Sequence, residues 1–357
     1  MKTELKKPIA GATARVMSDK LAMVVGNGLT RSLLGHAGIP IDSSSPLRWP
    51  LTTPGRANAL LDDLPGLKKY LERVDPERRI PDFDIITPFI SKLSARAPLP
   101  TNLPDDELDA FLDMCHYLTV AYSWLQLQLD HVPLEGWDWL LWLRRHRSRL
   151  TSLMSWNYDL VAERLLESCG LPYVYAGLNV APVRGRGQAG RRAPVLVSKP
   201  HGSCNFAPID ELRIETADAD GAPGEDVTYP RLIHVAGYDG PMQVLPTQRL
   251  YSIRQIADIV LPGESNRFNG YIGWVGRTSS AFKRDASLAR ELVIVGFRMA
   301  SCDQPEFERA ISWMKRLDRI IIAAPHINPA LLELVRDRCH TVIHWPDGPF
   351  GPALRIT

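Results

Sequence analysis

An α/β fold is predicted for this chain: a parallel β-sheet covered by helices on both faces, with a mainly helical insertion. Three observations predict it. After residue 150, short apolar runs bounded by turn residues alternate with helical stretches, the pattern of strands buried on both faces. One further run of this kind, Leu21 to Val25, stands near the start and ends in glycines. Between the two lies a stretch of Pro-, Asp- and Arg-rich sequence and long helical periodicity with no strand pattern.

Taken in order, residues 1–20 read as an N-terminal arm. Lys2, Lys6 and Lys7 make it basic, but no apolar block and cleavage site follow as a secretory signal requires, so a cytoplasmic protein is expected. Leu21 to Val25 is a strand, followed by the turn Gly26-Asn27-Gly28, a helix start in "RSLLGHAGIP" and a loop closed by Pro40. Residues 49–150 form the insertion. Its first part is broken by Pro50, Pro54, Pro76, Pro81, Pro88, Pro98, Pro100 and Pro104 into short helices and loops. "DDELDAFLDMCHYLTVAYSWLQLQL" then gives a helix with an acidic first turn, and "EGWDWLLWLRRHRSRL" another. The runs "LTSLMSW", "APVLVSK", "RLIHVAG", "ELVIVGF", "DRIIIAAP" and "HTVIHW" supply the later strands. Residues 21–48 and 151–357 thus form one Rossmann-like sheet domain. Two polar loops interrupt it, a basic one at 184–193 and an acidic one at 215–226.

Composition narrows the classes. With 45% hydrophobic and 23% charged residues, the 357-residue chain is long enough for a substantial core, and it has no apolar run of the roughly 18 residues that a membrane span needs. A net charge of +2 does not by itself imply nucleic-acid binding and leaves that contact open. The five cysteines form no C-x-x-C pair, which argues against a disulfide framework or a structural zinc site. Trp124, Trp137, Trp139 and Trp142 are expected in the core, and Arg144, Arg145, Arg147 and Arg149 at a solvated helix end that suits cations.

Ligands of open parallel sheets sit beyond the carboxyl ends of the strands, so the residues standing there are the candidates. Gly26, Asn27, Gly28, Leu29 and Thr30 follow the first strand. Glycines there let backbone N–H groups approach a pyrophosphate at a helix N-terminus, or simply make a tight turn. Asn157 and Asp159 follow "LTSLMSW" and suit a helix N-cap equally well. His201 follows "VLVS" beside Gly202, where it is either structural or placed to take a proton near neutral pH. Gly296 and Phe297 end a strand, and Asp303 opens a helix that it would cap.

In this order, "GNGLT", "SWNYD", "KPHGSCNF" and "GFRMASCD" resemble the motifs of the sirtuin-like family, especially the branch found in bacterial antiviral defence proteins. The resemblance runs from residue 21 to about 310 through short motifs, of which N-Y-D with H-G-S-C-N-F is the specific part. It implies an NAD-binding sheet, with NAD+ as substrate and no metal. Gly26, Asn27, Gly28, Thr30, Gly296, Phe297 and Asp303 would contact the dinucleotide, and Asn157, His201 and Asp159 would act at the nicotinamide ribose.

Asn157 would orient a water or the ribose, His201 would serve as base, and Asp159 would fix the corner or stabilise positive charge. Nicotinamide in NAD+ is cationic and leaves readily, so the chemistry needs a stabilised oxocarbenium-like sugar and a placed nucleophile rather than a metal. Phe83 and Asp84 are read as a capped helix start, although relatives carry a similar segment that reaches the site. Asn27 and Thr30 replace the small Ala and Ser common in the family's loop, and Ala300 stands where many relatives have Ser before the final Asp. Protein-deacylating sirtuins share a four-cysteine zinc ribbon that this chain cannot build. NAD+ hydrolysis to nicotinamide and ADP-ribose is therefore expected over deacylation, in an NAD-depleting effector of antiviral defence. It would form a homo-oligomer beside a separate sensor or ATPase such as a HerA-like translocase. The alternative is a module that senses NAD or ADP-ribose without turnover.

Overall fold

The computed structural model describes residues 20–96, 105–178, 180, 183, 193–208, 242–251, 257, 259–262 and 273–356. The arm before Lys20, the run "RLIHVAG", the acidic loop and all but the last residue of the basic loop lie outside these residues.

Among the described residues, eight strands form one sheet. In chain order they are β1 (Leu21–Val25), β2 (Leu150–Ser155), β3 (Tyr173–Tyr175), β4 (Val195–Ser198), β7 (Glu291–Val295), β8 (Arg319–Ala323), β9 (Val342–Trp345) and β10 (Leu354–Ile356); β5 (Phe206–Pro208) and β6 (Met242–Val244) make a separate antiparallel pair. The order across the sheet is β10-β9-β8-β7-β1-β2-β4-β3, parallel throughout except for β10 at one edge. β1 is central, pairing Leu21 with Leu150 on one side and with Glu291 on the other. The chain runs outward from β1 in both directions, so the crevice between β1 and β7 is a topological switch point, where such sheets bind ligands.

All five residues of β1 are buried, and their period-two alternation serves two cores. Leu21, Met23 and Val25 join the core that also holds apolar residues of helices α1 (Asn27–Ala37), α2 (Pro65–Val74), α3 (Asp82–Arg96), α4 (Asp105–Asp130), α5 (Asp138–His146) and α6 (Val161–Ser168). Ala22 and Val24 join the core under α7 (Gly273–Ala286), α8 (Gln304–Ile311) and α9 (Pro329–Arg336). Fully burying each aliphatic side chain contributes roughly 1.5–3 kcal/mol, so the sheet is held from both faces. The helices between β1 and β2 share one continuous core with the sheet face they cover.

Trp137, Trp139 and Trp142 are buried in that core, as their helical spacing leads one to expect. Arg144 and Arg145 stand in the last turn of α5, and Arg145 also lies over the ring of Phe350 at 4.9 Å. Arg149 departs from the solvated-end expectation: it reaches the buried carboxylate of Glu291 at 3.4 Å, which Arg319 also pairs. Two further expectations are corrected. Helix α1 begins at Asn27, so the glycine turn is itself the first turn of the helix rather than a loop before it. β3, β5, β6 and β10 were not foreseen because three-residue strands carry too few residues to show a period. The carboxyl ends of β1, β2, β4 and β7 point to one rim, where the candidate residues stand.

Candidate active site

Two glycine segments cross at the switch point. Gly26 N–H donates to Val295 O at 2.9 Å and Gly28 N–H to Gly296 O at 3.0 Å. A Cβ on Gly26 would meet Gly296 O and Phe297 Cα at 2.8 Å, and one on Gly28 would meet Gly296 Cα at 2.4 Å. Gly296 itself holds φ +55°, in the left-handed region. The glycines are therefore required by the crossing of β1 and β7. The N–H groups of Gly26 and Gly28, expected to face a pyrophosphate, are spent on that crossing.

Beside the crossing, the Asn157 corner is locked by a directed chain of hydrogen bonds. Asn157 Nδ2 donates to Gly26 O at 3.1 Å and to Thr30 Oγ1 at 3.0 Å, and Thr30 Oγ1 donates to Asp159 Oδ2 at 2.6 Å. Because Gly26 O can only accept, the amide NH2 must face it, which leaves Asn157 Oδ1 on the other side of the amide. The N-cap reading fails for Asn157. It holds in altered form for Asp159, whose Oδ1 accepts from Val161 N at 3.1 Å at the start of α6. With both carboxylate oxygens engaged, Asp159 fixes the corner. Burial pushes its carboxyl up, opposed by the Lys199 ammonium and the Thr30 hydroxyl.

His201 stands at the end of β4 and is 4% exposed. Trp156 meets its ring edge-on at 4.8 Å, Tyr158 stacks on it at 6.3 Å, and Tyr158 Oη donates to Val260 O at 2.7 Å. Burial brings the imidazole down to about 4, so at neutral pH it is uncharged. Its Nε2 lies 3.5 Å from Asp303 Oδ1 yet makes no hydrogen bond among the described residues. Asp303 precedes α8 but makes no capping bond with its side chain, so the cap reading is corrected. Burial raises its carboxyl to about 7, with the nearby Glu306 adding to the effect. Near pH 6 imidazole and carboxyl are thus both uncharged, and no full ion pair joins them.

These groups line one cleft of about 470 Å³, a size suited to a small-molecule ligand. Of the predicted residues, Gly26, Asn27, Asn157, Asp159, His201, Gly296, Phe297 and Asp303 border it. Gly28 and Thr30 do not, and support it from behind. Phe83 and Asp84 border it from the first turn of α3, so this helix start is also a wall of the cleft, a role the sequence reading set aside.

Sequence reasoning missed Ser43, Ser44, Tyr122, Trp156, Arg298, Met299 and Asn328. Met299 has φ +49°, and Asn328 braces that turn by donating to the carbonyls of Arg298 and Met299 at 2.9 and 2.8 Å. The signal that could have found Asn328 is its place after β8 and just before Pro329, a strand end like the others. A wider hollow of about 960 Å³, bordered by Gln126, Glu163, Tyr173, Asn205 and Met242 among others, holds none of the predicted site residues. Among the described residues no group of three or more His, Cys, Asp and Glu side chains is disposed to hold a metal ion.

Fold and site together define an open, mostly parallel α/β protein with a cleft at the carboxyl rim of its central strands. No family model matches the chain, and no curated protein does. Among solved structures it is similar to a Sir2 homologue in complex with NAD, at 13% identity over 90% of both chains and a TM-score of 0.35. It is also similar to two mutants of a Sir2 homologue in ADP-ribose complexes, each at 13% identity over 90% of this chain and 92% of that one, with TM-scores of 0.30 and 0.29.

Proposed function

We propose that the cleft binds NAD+ and hydrolyses it to nicotinamide and ADP-ribose. One observation carries the reading: Asn157 and His201, 44 positions apart in sequence, border one cleft at the switch point of a parallel sheet. Exposed Arg298 at the rim supplies positive charge for the pyrophosphate, replacing the N–H groups that the glycine crossing consumes. A neutral imidazole whose Nε2 makes no hydrogen bond to the described residues is in the form that accepts a proton from water or a ribose hydroxyl. The amide of Asn157, held by Gly26 and Thr30, offers its oxygen to orient that water. The carboxylate of Asp303, when ionised, stabilises positive charge on the sugar as nicotinamide departs.

The motif resemblance supports the finer reading, an NAD-depleting effector of bacterial antiviral defence that acts in the cytoplasm as a homo-oligomer with a sensor or ATPase partner. A sensing module that binds NAD or ADP-ribose without turnover is the second reading, favoured by how thoroughly the imidazole is buried. Incubating the protein with NAD+ and following nicotinamide and ADP-ribose separates the two. His201→Ala and Asn157→Ala are each expected to fold and to lose about two to four orders of magnitude in nicotinamide release. Full activity in both folded variants would reject the assignment.

A further inference from the structure

Behind the cleft sits a completely buried ammonium. The Lys199 side chain has no solvent exposure, and its Nζ donates to the main-chain carbonyl of Asp159 at 2.6 Å and to Glu163 Oε1 at 3.0 Å. Glu163, in the first turn of α6, is 2% exposed, and the same Oε1 accepts from the Tyr175 hydroxyl of β3 at 3.2 Å. Taking an ammonium and a carboxylate out of water is costly, and lysine is seldom found fully inside a protein. What the pair holds is therefore informative.

Lys199 stands two residues before His201, and Asp159 two residues after Asn157. The backbone ladder between β2 and β4 ends at Met154 and Ser198, short of both candidate residues. Past that point the two segments are joined by the Lys199 bond to Asp159 O, by Cys204 N–H to Tyr158 O at 2.9 Å, and by Ser203 Oγ to Tyr158 O at 3.3 Å. From Asp159 the connection continues through Thr30 to the amide of Asn157. One polar chain thus runs from Glu163 through Lys199, Asp159 and Thr30 to the cleft. Neither Lys199 nor Glu163 borders that cleft.

We propose that Lys199 and Glu163 are a positioning pair, which clamps the Asp159 corner so that the Asn157 amide keeps its orientation relative to His201. The inference rests on the hydrolysis proposed above for its kinetic readout and on geometry alone for its spectroscopic one. Removing only one partner would strand a buried charge, whereas replacing both with uncharged side chains of similar volume is often neutral for stability.

The test is the double variant Lys199→Met with Glu163→Gln. Its expected behaviour is a melting temperature close to that of the native protein, kcat for nicotinamide release reduced about 10- to 100-fold, and KM for NAD+ unchanged. In ¹H–¹⁵N spectra the Asn157 side-chain amide, assigned by its loss in Asn157→Asp, should exchange with solvent about tenfold faster or more once its chain of bonds is released. Should the double variant fail to fold, Lys199→Arg, which keeps the charge and moves the donors, is expected to show the same two changes. A folded variant with native kcat and native Asn157 exchange overturns the proposal, as does a raised KM with kcat intact. If the native protein releases no nicotinamide, the proposed reaction fails while the amide exchange still decides the role of the pair.

Discussion

Replacing Gly28 with alanine tests the glycine crossing quantitatively. The added methyl would lie 2.4 Å from Gly296 Cα and 3.1 and 3.2 Å from the O and C of the same residue. Carbon atoms pack at about 3.5–4.0 Å, so the two segments must part by about 1 Å. Every atom met is backbone, and none can rotate away. Forcing extra carbon into a packed interior costs about 1–3 kcal/mol, and stretching the hydrogen bond from Gly28 N–H to Gly296 O adds about 1 kcal/mol. A loss of about 2–4 kcal/mol is expected, together with weaker NAD+ binding, because the parted segments form the floor of the cleft. Gly35→Ala is the control. It lies on the same helix with nothing within 4 Å of its new methyl, and should gain about 0.5–1 kcal/mol from the lower backbone entropy of the unfolded chain. Denaturant unfolding followed by circular dichroism reads both. Midpoints of the two variants moving in the same direction, or a Gly28→Ala midpoint equal to the native one at unchanged m, would refute the crossing as the reason for these glycines.

Three further outcomes follow from the site. Burial raises the Asp303 carboxyl to about 7, above the roughly 3.9 of an ordinary aspartate, so the folded state holds its proton more tightly. Its contribution to stability is full below about pH 4 and is lost as pH rises through about 7. Asp303→Asn should therefore gain on the native protein between pH 4 and pH 8, by roughly 4 kcal/mol at most, and a native-like pH dependence of unfolding would reject the buried acid. The same variant should lose any rise in nicotinamide release near pH 7, since that limb is assigned to the carboxylate forming in the cleft. Arg298→Ala should raise KM for NAD+ about tenfold and flatten the dependence of KM on salt, with kcat little changed; initial rates at two ionic strengths decide this.

The sheet was legible because its inner strands are long enough and apolar enough to stand out. β1, β2, β4, β7, β8 and β9 each match an apolar run read from the sequence. Edge strands such as β10, with Leu354 half exposed, carry no such mark. Among site residues, Asn157, His201 and Asp303 were visible because polar residues stand directly after buried strands or before a helix. What each one does was less legible, because hydrogen-bond direction belongs to the fold. Asp159 turns both oxygens inward, and Asp303 faces an imidazole where a cap was expected. Trp156 and Tyr122 were hidden for a different reason: an aromatic residue reads as core whether or not one edge of its ring borders a ligand. Lys199 was quoted within "KPHGSCNF" and left without a role, since nothing in a sequence says that a lysine is dry.

The central strand carries one more implication. Leu21 to Val25 is flanked by partners that begin at Leu150 and Glu291, so the innermost strand is made before either neighbour and is closed on its second side only once β7 has followed. Such distant pairings slow folding and leave one edge of an all-apolar strand unpaired during synthesis, a feature that favours aggregation until β7 arrives.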